Sequence, residues 1–207
     1  ARARFRGPVV AGTGTHGKTH TKELVGHLLA GKYRTVAAVK SFNNHFGVAH
    51  TLFRVTRDTG AVVMELGSNA PGEIASLARV VRPTVAVVTR AEPVHLEGMG
   101  SLDRIREEKS SLLDFLAPGG TAWVNGDDAP LVAAARARAP RLVEAGQLKI
   151  YGWETEGPCD LQGRSVRATD GGIVLEWDGN PVSVPLLGLF SAGNVLAAVA
   201  VARTLGL

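Results

Sequence analysis

The sequence predicts an α/β protein: a mostly parallel phosphate-loop sheet with helices on both faces, plus a small antiparallel β patch near the C-terminus. Three observations predict it. Short valine-rich runs alternate with helical patterns from residue 9 to residue 152, the pattern of parallel strands joined by covering helices. A glycine-rich stretch, GTGTHGKT, stands between the first such run and the first helical pattern. After Cys159 the texture changes to short alternating runs separated by GG and DGN, as in antiparallel hairpins.

The elements follow in order. Residues 1–7, with the basic run ARARFR, are expected to be a solvated linker from an upstream domain, and residues 8–207 a single domain. VVAG (9–12) is apolar throughout, as a strand buried on both faces must be, and Lys18 to Ala30 has helical spacing closed by Gly31. TVAAV (35–39), AVVMEL (61–66), TVAVVT (84–89), TAWVN (121–125) and KIYG (149–152) repeat the strand pattern. Between them the spacing predicts helices over 72–80, 101–116 and 129–137. SVRAT, GIVLEW and PVSVPLLG form the antiparallel patch, and a last helix runs from Ala192 to Leu205 before Gly206.

Composition narrows the function. A chain of 207 residues, 45% hydrophobic and 20% charged, can bury a full core. The net charge is only +4, aromatics are 5%, and no Lys/Arg run reaches six, so a nucleic-acid partner is not expected. Cys159 is the only cysteine, which excludes an internal disulfide and a cysteine-based zinc site and suits a cytoplasmic location. No run approaches the roughly 20 apolar residues of a membrane span, and the first residues lack a signal peptide's apolar centre. An alanine start and a stop at the end of a helix lead us to expect an excised piece of a longer protein.

The chemistry begins at Gly12–Thr19, which satisfies G-x-x-x-x-G-K-[ST] between strand and helix. There Gly14, Thr15, His16 and Gly17 can curl backbone N–H groups around phosphate, with the helix N-terminus adding positive charge. Lys18 can reach terminal phosphates and the Thr19 hydroxyl can ligate Mg²⁺. A local contact is the simpler role for His16 and His20. Glu65 ends a strand on the expected ligand edge, where it either caps a turn or holds Mg²⁺. His95 lies on the loop after the next strand, at the same edge. VNGDD adds Asn125 and two acids, with Asp128 either a ligand or a helix N-cap. In SLDRIREEKSSLLDFL, helical spacing sets Lys109 on the apolar stripe of Leu102, Ile105, Leu112 and Leu113. Taken alone, that lysine would snorkel outward.

These pieces together resemble the Mur ligases, ATP-dependent amide-bond-forming enzymes of peptidoglycan synthesis, and most closely their D-Ala-D-Ala-adding branch. The carriers are GTHGKTHTKE, SFNNHFGV, ELGSNAPGEI, HLEGMGS with a lysine on the helix beyond, and N-x-D-D, with a weaker echo in GLFSAGNVLAA. The resemblance implies that ATP phosphorylates a substrate carboxylate and that an amine displaces phosphate to form the amide. It implies Thr19 and Glu65 on one Mg²⁺, and His95 with a carbamylated Lys109 serving a second. It also implies Lys18 on phosphate, Asn125 and Asn194 toward the nucleotide, and Asn43, Asn44, Asn69 and Arg90 toward the substrate. The partners implied are UDP-MurNAc-peptide and D-Ala-D-Ala, with N- and C-terminal domains lying outside this piece, which alone should ligate little or nothing. Arg90 stands where relatives carry asparagine, and Phe190 and Ser191 replace the usual pair before Asn194. Those departures raise two alternatives: a paralogue joining another acid and amine, or an inactive nucleotide-binding regulatory module. A small-molecule kinase would share the phosphate loop but gives no account of Lys109.

Overall fold

The computed structural model describes residues 2–94 and 96–207. After a short 3-10 turn at Arg2–Arg4, the chain forms β1 (Val9–Thr13), α1 (Lys18–Ala30), β2 (Thr35–Ala37), α2 (His45–Phe53), β3 (Ala61–Glu65) and α3 (Glu73–Val81). There follow β4 (Val85–Val88), α4 (Leu96–Met99), α5 (Leu102–Ser110), β5 (Thr121–Asn125), α6 (Ala129–Arg138), α7 (Pro140–Glu144) and β6 (Leu148–Gly152). The last part comprises β7 (Leu161–Gln162), β8 (Arg164–Thr169), β9 (Gly172–Trp177), β10 (Asn180–Val184) and α8 (Ser191–Thr204).

Seven strands make one sheet in the order β2-β3-β1-β4-β5-β6-β7, and β10-β9-β8 make a second, antiparallel one. Every pairing in the large sheet is parallel, for example Gly12 beside Glu65 and Thr13 beside Val88. The chain runs from β1 outward to β2 on one side and, after β3, crosses β1 to β4 on the other, so the winding reverses at β1 and opens a crevice at the strands' carboxyl ends.

Successive residues of a strand face opposite sides, and this sheet is covered on both. Val9, Ala11, Val62 and Met64 point into one core with Ile74, Leu77, Ile105 and Leu112. Val10, Val63, Val85 and Val87 point into the other with Val25, Leu29 and most of α8. The valine runs are continuous because neither face meets water. Ile173 and Leu175 of β9 belong to the second core, so the antiparallel patch folds against α8 instead of standing apart.

Several elements differ from the sequence expectation. Residues 101–116 are not one helix: α5 ends at Ser110 and Ser111–Phe115 tighten into a 3-10 turn, where the Ser111 hydroxyl donates to Glu108 O at 2.6 Å. α2, α4, α7 and the two-residue β7 were not expected. α2 is capped by Asn44, whose Oδ1 accepts from Gly47 N at 3.0 Å. Its Phe46 and Phe53 are each 86% exposed, which hides the usual apolar stripe.

Candidate functional site

The loop between β1 and α1 lies at the centre of the crevice. Gly17 has a left-handed backbone (φ 82°), and a side-chain carbon there would fall on the Asn194 side chain at the start of α8. Thr89, just past β4, holds the loop from the other side: its hydroxyl proton points between two carbonyls, His16 O at 2.7 Å and Thr13 O at 3.1 Å, and can be donated to one or shared. Thr15 N also donates to Arg90 O at 2.6 Å.

Cavities open on both sides of this loop. The first, about 220 Å³, is lined by Gly14, Thr15, Lys18, Asn43, Asn44 and His45, and opposite them by Ser68, Asn69, Glu73 and Lys109. Lys18 folds back, its Nζ donating to Thr15 O at 2.8 Å. Burial pulls its pKa below the ordinary lysine value, against the attraction of Glu65. The Glu65 carboxylate is buried and shared, accepting from Thr19 Oγ1 and Asn43 Nδ2, each at 2.8 Å. Among the described residues, no three His, Cys, Asp or Glu side chains gather into a metal cage. One carboxylate and one hydroxyl beside a phosphate loop instead fit Mg²⁺, which keeps waters and takes most other oxygens from phosphates.

Lys109 answers the question its position in the helix poses. It is 3% exposed and donates through Nζ to Ser68 Oγ at 2.6 Å, on the wall facing Lys18. Burial, and next the Lys18 charge, lower its pKa to about 8, against the pull of Glu108 and Glu73. Neighbouring Glu108 fixes that wall. It is buried, and its two oxygens accept from Gly72 N at 2.7 Å and Ile74 N at 2.8 Å, where α3 begins. Glu73 accepts from Asn69 N at 2.6 Å. His95 lies outside the described residues.

The second cavity, about 590 Å³, is lined by His16, Gly17, His20, Arg90, Asn125 and Asn194, with Asp127, Trp153 and Phe190 across from them. Asn125 is 5% exposed and its Oδ1 accepts from Asp127 N at 3.0 Å, so its NH₂ group is left to face a ligand. Asn194 Oδ1 accepts from the Thr21 hydroxyl at 3.3 Å, which ties α8 to α1. Phe190 is 66% exposed at the mouth and offers a flat apolar face. The His16 and His20 rings line this cavity, and His16 Nε2 is 3.3 Å from Glu92.

Most of the expected residues line these two cavities. Arg90, expected toward the substrate, lines the second cavity, 3.7 Å from Glu92 and 3.8 Å from Glu154. Asn44 lines the first cavity, but its oxygen is spent on the α2 N-terminus. Asp128 is the N-cap of α6: one oxygen accepts from Leu131 N at 3.1 Å and the other from Ala91 N at 3.0 Å. Ser68 and Thr89 were missed. Each acts through a contact between distant loops that no local pattern announces.

A parallel sheet with this loop at its reversal point and a buried lysine facing it defines a class. Residues 13–202 match the model of the Mur ligase middle domain, and the chain belongs to that family. It is similar to the UDP-N-acetylmuramoyl-tripeptide--D-alanyl-D-alanine ligase of Synechocystis, 34% identical over all of this chain and 42% of that protein. The Bacillus subtilis ligase of the same name is 31% identical over 96% of this chain and 42% of its own length. Among solved structures, MurF from Acinetobacter baumannii superposes with a TM-score of 0.84 at 29% identity, covering 97% of this chain and 43% of that one. MurF from Thermotoga maritima in complex with ADP gives 0.82 at 27% identity, over 99% and 47%. The chain thus spans about two fifths of the length of the curated relatives it matches. No helix among the described residues is long and apolar enough to cross a membrane.

Proposed function

We propose that this chain is the ATP-binding middle domain of a MurF-like ligase, which joins D-Ala-D-Ala to UDP-MurNAc-tripeptide with conversion of ATP to ADP and phosphate. Residues 8–207 are that domain, residues 1–7 lead from an N-terminal domain, and a C-terminal domain completes the cytoplasmic enzyme. The observation that carries the reading is Lys109, a buried amine that lines the same small cavity as Lys18 and feels its charge. A small-molecule kinase has no use for such a group.

The roles follow from the two cavities. The base and ribose of ATP occupy the second, with the Asn125 and Asn194 amides and the Phe190 ring around them. Backbone N–H groups of residues 14–19 receive the phosphates, and Lys18 turns from Thr15 O onto them. Mg²⁺ held by Thr19 and Glu65 would withdraw charge from the transferring phosphoryl group. The substrate carboxylate lies in the first cavity, near Asn43 and Asn69. Its oxygen attacks the γ-phosphorus, the bond to ADP breaks, and an acyl phosphate forms. The amine then adds to the acyl carbon, phosphate leaves, and the amine's proton passes to solvent or a base. Lys18 offsets the charge that builds on the oxygens throughout. Lys109, with its pKa lowered to about 8, has a larger neutral fraction than an ordinary lysine. That neutral amine can add to CO₂ and release a proton to solvent, and the resulting carbamate would be an oxygen ligand for a second Mg²⁺ shared with His95.

A paralogue with another acid and amine is the alternative raised by Arg90 and by the altered GLFSAGN segment. Arg90 and Phe190 both line the second cavity, so these departures bear first on the proposed nucleotide side. The test is ligation by the full-length protein given ATP, Mg²⁺, UDP-MurNAc-tripeptide and D-Ala-D-Ala. Amide and phosphate should form in equal amounts. Lys109→Ala should abolish both, and a short-chain carboxylic acid should restore part. Turnover only with other acids would favour the paralogue, and nucleotide binding without turnover would favour a regulatory module.

A further inference from the structure

Lys22 is a buried cation that the reaction above does not use. It sits one turn beyond Thr19 on α1, and its side chain is 1% exposed. Its ammonium donates to Ala38 O at 2.8 Å and to Lys40 O, and is 2.7 Å from Glu23 Oε1. Two of its N–H groups are therefore taken by backbone carbonyls, and a carboxylate stands beside the charge. Burying an ammonium is costly unless every donor is satisfied, and an apolar side chain would fill the space more cheaply. What Lys22 supplies is donors to carbonyls at the end of β2, where the chain leaves the sheet.

That segment leads straight to the carboxylate on the Mg²⁺ side. Lys40 takes a left-handed backbone (φ 47°), unusual for a residue with a side chain. Three residues on, Asn43 accepts from Gly67 N at 2.9 Å through its carbonyl and donates to Glu65 Oε1 at 2.8 Å. Thr19 holds the other Glu65 oxygen. One face of α1 thus grips Glu65 twice, directly through Thr19 and indirectly from Lys22 through residues 38–43.

We propose that Lys22 is a positioning residue for Glu65, aligning its carboxylate for Mg²⁺ by anchoring residues 38–43. The inference rests on the reading of Thr19 and Glu65 as the Mg²⁺ pair. In the full-length protein, binding of a non-hydrolysable ATP analogue is measured with Mg²⁺ and with EDTA. Wild type should bind more tightly with Mg²⁺. Lys22→Met should bind within about twofold of wild type in EDTA, yet lose about tenfold of the Mg²⁺-dependent gain. Lys22→Arg, which keeps charge and donors, should recover part of it. Hydrogen exchange at the Gly67 amide should quicken in Lys22→Met, because its acceptor on Asn43 is released. A general loss of stability would weaken binding with and without Mg²⁺ alike. A Lys22→Met protein that keeps the full gain overturns the proposal. Should that variant fail to fold, Asn43→Ala must show the same selective loss, and its absence there also overturns it. A wild-type protein with no gain overturns the underlying Mg²⁺ reading and the proposal with it.

Discussion

Lys109, a buried amine in the same cavity as Lys18, is the residue on which the proposed ligase function turns. The helix turns it inward because Ile105 and Leu112 must face the core and Lys109 lies one turn from each. Its ammonium then carries a burial penalty, with the Ser68 hydroxyl as its hydrogen-bond partner among the described residues. The linkage has a definite sign. The native pKa is about 8 against the ordinary 10.5, so between those values the unfolded chain binds more protons and native stability rises with pH. Below about 8 the penalty is present in full, worth about 3 kcal/mol. In CO₂-free buffer, wild-type stability relative to Lys109→Met should climb by about that amount from pH 8 to pH 10.5, read by denaturant unfolding. A flat difference would mean that the amine reaches water. The inward placement was legible from helical spacing alone. The partner was not, since Ser68 belongs to a loop distant in sequence. Arg90 shows the same limit: sequence order brought it to the right loop, but only backbone direction decides which side of the phosphate loop receives its guanidinium.

Among the elements, α3 depends most on a neighbour. Its N-cap is Gly72, which offers no side-chain oxygen, and the buried Glu108 carboxylate of α5 substitutes by accepting from Gly72 N and Ile74 N. Glu108→Ala should therefore cost about 3 kcal/mol, as two hydrogen bonds to a charged acceptor are lost. Amide exchange should quicken first at residues 72–76, and exchange unchanged there would contradict this capping role. The strands were the most legible elements, because burial on both faces writes itself as unbroken valine. α2 was the least legible. Its exposed phenylalanines and its cap at Asn44 carry no periodic signal strong enough to compete with the flanking loops.

For the molecule as a whole, the sheet order puts every proposed contact at one edge, so nucleotide binding should stabilise the entire fold. At a concentration one hundred times its Kd, MgADP adds about 2.7 kcal/mol, which for a chain of this size raises Tm by roughly 5–10 °C. A thermal melt checks it, and an unchanged Tm would count against the nucleotide reading. The same architecture joins two distant segments, the β1–α1 loop and α8. Gly17 leaves no room for a side chain because Asn194 fills it, and Asn194 belongs to a helix buried over most of its surface. The glycine-rich turn and the amide that backs it stand far apart in the sequence, at residues 17 and 194. A nascent chain that has not yet made α8 would hold an unsupported phosphate cradle, and the ability to grip nucleotide would arrive only with that helix.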